Sequence, residues 1–157
     1  MLRWALPVLL LAAPALAAPG LESVPKRVQD GVWALIQACN AGGGRPGDPM
    51  QAIERVDLDG DGADDVIFDE ARFPCRGLKP GALCPEVGCS TYLTLSDRGR
   101  WRPALDVVGG YCLDRSASPP RFMTVQRQYL ADGGGYILNV RYRFRNGMAF
   151  QDGRGQC

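Results

Sequence analysis

The stretch Tyr136-Ile137-Leu138-Asn139-Val140-Arg141-Tyr142-Arg143-Phe144-Arg145-Asn146-Gly147-Met148 sets the fold class. From Leu138 to Arg145 apolar and polar side chains alternate, with Leu138, Val140, Tyr142 and Phe144 on one side and Asn139, Arg141, Arg143 and Arg145 on the other. Period two over such a length is the pattern of a strand with one buried face. Asn146-Gly147 then supplies the dipeptide favoured in two-residue hairpin turns, where both central residues take positive φ. Met148 to Gln151 is the returning strand. An antiparallel sheet with one face against a core is expected here.

Upstream, Arg121 to Leu130 reads as another strand, turned back by Gly133-Gly134-Gly135. Ser90 to Ser96 and Trp101 to Val108 read as a hairpin across Asp97-Arg98-Gly99-Arg100. Between these units, Gly109-Gly110 and Ser116 to Pro120 mark a loop that contains Cys112. Arg72 to Gly88 carries Pro74, Pro80 and Pro85 with Gly77, Gly81 and Gly88, and reads as an irregular excursion. Val66-Ile67-Phe68 is a short, mostly β-branched strand. Ala52 to Leu58 is a short strand or the end of a helix. Ser23 to Cys39 has helical periodicity, with Val24, Val28, Val32, Leu35, Ile36 and Cys39 on one stripe. Ser23 is placed to cap this helix, Pro25 is tolerated in its first turn, and Gly42-Gly43-Gly44 stops it. The expected fold is α+β, an N-terminal helix packed on an antiparallel meander of six or seven strands.

The first residues are set apart from that domain. Arg3, the apolar run Trp4 to Ala13 and the Ala15-Leu16-Ala17 cleavage pattern form a secretory signal over residues 1–17. That leaves 18–157 as a single domain, periplasmic or secreted, with no membrane span after cleavage. Ten apolar residues fall short of the roughly 20 that a spanning helix needs. Cys39, Cys75, Cys84, Cys89, Cys112 and Cys157 then lie in an oxidising compartment, an even set that fits three disulfides. Spacing alone leaves their pairing open. Cys39 at the inward end of the helical stripe is placed to staple the helix to the sheet, and Cys157 to pin the terminus. No Cys-x-x-Cys pair and no histidine occur, so a zinc site is not expected. The missing histidine also excludes Ser-His-Asp, Cys-His and His-metal catalysis.

The charge is unevenly spread. Residues 54–70 hold eight acids (Glu54, Asp57, Asp59, Asp61, Asp64, Asp65, Asp69 and Glu70) against Arg55 alone. Five carboxylates fall within Asp57-Leu58-Asp59-Gly60-Asp61-Gly62-Ala63-Asp64-Asp65. Like charges so dense call for a cation, and Ca²⁺ takes oxygen ligands in flexible geometry. The bland alternative is a solvated acidic turn. Counted from Asp57, carboxylates stand at positions 1, 3, 5 and 9, glycines at 4 and 6, and Asp64 at position 8 is set to face solvent or cap the turn. An EF-hand would carry Glu at position 12, where this chain has Phe68.

The loop instead resembles the β-loop-β calcium turns of FG-GAP and VCBS repeats, D-x-[DN]-G-D-G-x-x-D before an apolar strand. Dockerin and thrombospondin type-3 loops share the DxDxDG core. The resemblance covers about 12 residues and occurs once, so the propeller fold of those repeats is not implied. It implies calcium held by Asp57, Asp59, Asp61, the Ala63 carbonyl and Asp65. Extracellular sites of this kind bind at about 10⁻⁴ to 10⁻³ M and act as structural staples. The order of acidic loop, Cys-rich excursion and Tyr-rich meander also looks like small exported bacterial proteins of uncharacterised type.

The first expectation is therefore an exported calcium-binding protein without a catalytic role. A second is an envelope adaptor or inhibitor using Arg141, Arg143 and Arg145 against an acidic envelope component or protein. The bland alternative, and the favoured one, is a solvated face that discourages edge pairing. No aromatic side chain interleaves with the arginines on that face, so no nucleic-acid partner is expected. A third is a carboxylate hydrolase drawing on Asp69, Glu70, Asp106 or Asp114. Trp33, Trp101, Tyr92 and Tyr111 are expected as core aromatics.

Overall fold

The computed structural model describes residues 20–129 and 134–156. Among these, one α-helix and ten strands build an α+β domain. The helix, α1, spans Lys26–Ala41. Strands β1 (Arg45–Pro46) and β4 (Cys75–Arg76) form a two-residue ladder. A first antiparallel sheet runs β2 (Ile53–Val56), β3 (Asp65–Asp69), β5 (Ser90–Asp97), β6 (Arg100–Val108). The second contains β7 (Gly110–Asp114), β8 (Arg121–Tyr129), β9 (Gly135–Arg145) and β10 (Met148–Arg154), each beside the next.

The expected single meander is thus two stacked sheets, and β3 shows why. Its Val66 and Phe68 point towards α1 and join the core formed by Val28, Val32, Leu35 and Cys39. Ile67, between them, points the other way and joins Val56, Leu93, Leu95, Phe122, Val140, Tyr142 and Phe144. A strand apolar on consecutive positions needs cover on both faces. Helix and second sheet provide it, giving three layers with the first sheet in the middle. Gly31 lets the helix come close, because a Cβ there would sit 2.7 Å from the Phe68 ring. Within the second sheet Phe122 stacks on Tyr111 at 5.5 Å and meets Phe144 edge-on at 5.9 Å.

The hairpin of β9 and β10 forms as its sequence predicts, with Asn146 at φ 53° and Gly147 at φ 73°. Three local expectations are corrected. Ser23 does not cap α1: Pro25 holds that position, while Ser23 Oγ donates to the Gly20 carbonyl at 2.7 Å and accepts from Arg55 at 2.8 Å. Residues 110–114, read as loop, are strand β7, paired along its length with β8. Trp33 and Trp101 are 42% and 37% exposed rather than core; Tyr92 and Tyr111 are the partly buried, packed aromatics.

The disulfide framework is present. Cys39–Cys75 ties the end of α1 to β4, so it staples the helix to the excursion and not to a main sheet. Cys84–Cys89 closes a small loop within the excursion. Cys112 is disulfide-bonded too. Cys157, the signal segment 1–17, Leu130 at the end of the expected strand and Gly133 of the expected turn lie outside the described residues. Disulfides fit an oxidising compartment. Among the described residues no helix is long and apolar enough to cross a membrane.

Candidate functional site

β2 and β3 are antiparallel partners in register from Ile53↔Phe68 to Val56↔Asp65, and the acidic loop is the connection between them. Both flanks are strands, so the loop is a hairpin connection without EF-hand helices. Leu58 points inward and is buried between the sheets, anchoring the loop at its second position. Gly60 and Gly62 take φ of 80° and 87°, the left-handed region where glycine carries no Cβ penalty.

Three of the five sequence-predicted ligands converge. One carboxylate oxygen from each of Asp57, Asp59 and Asp61 lies within 4.8 Å of the others, a group that could hold a metal ion. Two oxygens on opposite sides of a calcium, at 2.3–2.6 Å each, stand about 5 Å apart, so this spread fits one ion. Backbone amides preset the side chains. Asp57 accepts from Gly60 N–H at 2.7 Å and from Gly62 N–H at 2.9 Å. Asp59 accepts from Asp61 N–H at 3.2 Å, and Asp61 from Ala63 N–H at 2.8 Å. Asp64 is exposed, as its position suggested.

Asp65 stands apart from that group. It begins β3, fully buried, and its two oxygens accept from Leu58 N–H and Ser96 N–H, each at 2.8 Å. It thus bolts the start of the loop to β5. Burial pushes its carboxyl up to about 6, against the pull of those two amides, with the Asp59 and Asp57 charges adding to the rise. Burial likewise raises Asp59, and neighbouring Asp61, Asp57 and Asp97 add to it. None of the five loop carboxylates forms an ion pair with a described Lys or Arg.

The arginine row lies on the outer face of the second sheet, since Val140, Tyr142 and Phe144 are buried beneath it. Asp152 on β10 gathers two of the three. Arg143 Nε donates to its carboxylate at 2.6 Å, and Arg141 Nη2 donates to its backbone carbonyl at 2.8 Å. The Arg143 hydrogen bond holds Asp152 below the usual carboxylate range. Arg145 has no carboxylate partner among the described residues. The register also corrects the reading of that face: Phe150 lies opposite Arg143 and Met148 opposite Arg145. Directly opposed residues share a face, so the aromatic absent from β9 is supplied by β10. A cleft of about 420 Å³ runs beside this row, lined by Asp59, Pro119, Arg121, Arg143 and Arg145 among others.

The candidate hydrolase carboxylates do not share a cleft among those found in the described residues. Asp69 accepts from Ala71 N–H, Glu70 from Ser90 N–H, and Asp114 from Ser116; Asp106 pairs with Arg27 of the helix. Sequence reasoning missed a different cluster, which joins the two sheets. Glu54 of β2 accepts from the Tyr111 hydroxyl of β7, from Arg72 at 3.1 Å and from Arg115. Burial works to raise Glu54, but Tyr111, Arg72 and Arg115 outweigh it and hold it below the ordinary glutamate range. Burial, then the Glu54 hydrogen bond and charge, push Tyr111 above the usual phenol range. No period or motif signals contacts 57 and 61 residues apart.

No family model, curated protein or solved structure matches this chain.

Proposed function

We propose that this chain is an exported calcium-binding protein whose metal and disulfides are structural and which has no catalytic role. The observation that carries the reading is the convergence of Asp57, Asp59 and Asp61 oxygens within 4.8 Å on a loop that offers them no cationic side chain. Asp57, Asp59 and Asp61 are the ligands the geometry favours. The loop resemblance adds the Ala63 carbonyl and Asp65, of which Asp65 also braces the loop against β5. Calcium supplies charge neutralisation, and the residues of the hairpin supply the frame that holds it. The signal-like residues 1–17 and the disulfides support a periplasmic or secreted setting.

Calcium titration followed by amide resonances tests this. Gly60 and Gly62 N–H, which donate to Asp57, are expected to shift saturably with Kd of about 10⁻⁴ to 10⁻³ M. Asp59→Asn/Asp61→Asn should abolish the response. Unmoved loop amides at several times that calcium concentration would overturn the proposal.

A further inference from the structure

A second feature of the molecule shares only Asp59 with the metal reading. The outer face of β9 and β10 combines Arg141, Arg143 and Arg145 with Met148 and Phe150, which are 54% and 48% exposed. Surfaces that bind proteins are enriched in arginine, methionine and aromatic side chains at their centre and poor in lysine and acids. This face has that composition, with Asp152 as the one acid set among the arginines. Asp152 fixes the Arg141 and Arg143 guanidinium groups in place, which lowers the entropy lost when they meet a partner. The adjoining cleft adds Arg121, whose nearest carboxylate, Asp114, is 4.0 Å away. Four arginines against Asp59 and Asp152 leave the cleft and its rim net positive, so an occupant must be anionic.

Spacing narrows the occupant further. Arginines at every second residue of a strand recur at about 6.7 Å, and so do the same-face side chains of any extended peptide. Guanidinium groups also favour the two-pronged geometry of a carboxylate. From the composition, the net charge and this shared period, we infer that the β9–β10 face is a docking surface for an extended acidic protein segment, its carboxylates at alternate positions meeting Arg143 and Arg145 and its flank covering Phe150 and Met148.

Fluorescence anisotropy on the intact exported chain tests this, using a labelled peptide that alternates Glu with Thr. A peptide of the same composition with its glutamates in one block, heparin and a single-stranded oligonucleotide serve as competitors. The alternating peptide should bind, and both Arg143→Glu/Arg145→Glu and Phe150→Ala should weaken it, the charge reversal by about tenfold or more, as for central interface residues. Unchanged melting temperatures in both variants would confirm that the fold is intact. Phe150→Ala, which alters no charge, keeps the test sharp should the charge reversal disturb the sheet. The inference fails if the alternating peptide does not bind, or if neither variant weakens it. It fails equally if the block peptide, heparin or oligonucleotide competes as well as the alternating peptide, because the face would then be a sequence-blind polyanion site.

Discussion

The two sheets solve opposite problems. The first is covered on both faces, by α1 on one side and the second sheet on the other, and its β2–β3 turn carries five carboxylates with no described basic partner. The second is covered on one face only and leaves its arginines outside, two of them steadied by Asp152. The first sheet therefore contributes to both cores, while the second contributes to one and keeps its arginine face open. In the acidic loop backbone amides and a proposed cation balance the charge; on the arginine face one aspartate does so in part, and a proposed acidic partner the rest.

Truncating one phenylalanine in each sheet should expose that contrast most strongly. Phe68→Ala removes a fully buried ring between α1 and β3, and is expected to cost about 3–5 kcal/mol in denaturant unfolding. Phe150→Ala, on the open face, should stay within about 0.5 kcal/mol. Equal losses would mean that the second sheet's outer face is part of the core after all.

A smaller effect separates the loop from the rest through pH. Asp65 has a folded value of about 6, above the ordinary aspartate value of about 3.9 that it regains on unfolding. The folded state therefore binds the extra proton, and Asp65 makes its full contribution below about pH 4 and loses it as pH rises through about 6. In chelator, stability against pH should carry this downward component between those limits, and Asp65→Asn should remove it. Asn keeps only one of the two acceptors used by Leu58 and Ser96, so its overall stability should also drop, by about 1–3 kcal/mol. A variant that keeps the same pH component would move its origin away from Asp65.

Much of this architecture was legible in the sequence where the signal is local. The helical stripe, the Asn146-Gly147 hairpin and the acidic turn all declare themselves within a few residues, through periodicity, turn chemistry and charge density. Strand β7 was hidden because Gly109-Gly110 and the Ser116–Pro120 cluster frame it with loop-like composition. The division into two sheets was hidden because it depends on which face of β3 each long-range neighbour covers. The carboxylate cluster was legible in Asp57, Asp59 and Asp61, whereas the bracing role of Asp65 depends on Ser96, which lies 31 residues away. Phe150 beside Arg143 emerges only from the register of β9 and β10.

The central claim is that calcium clasps the β2–β3 turn, and thermal unfolding of the wild-type chain in chelator and in millimolar calcium tests it most directly. Millimolar calcium at about one to ten times the Kd stabilises by about 0.4–1.4 kcal/mol, so the melting temperature should rise by about 1–5 °C with calcium and stay still in Asp59→Asn/Asp61→Asn. No rise in the wild type, or an equal rise in the double variant, would contradict the account.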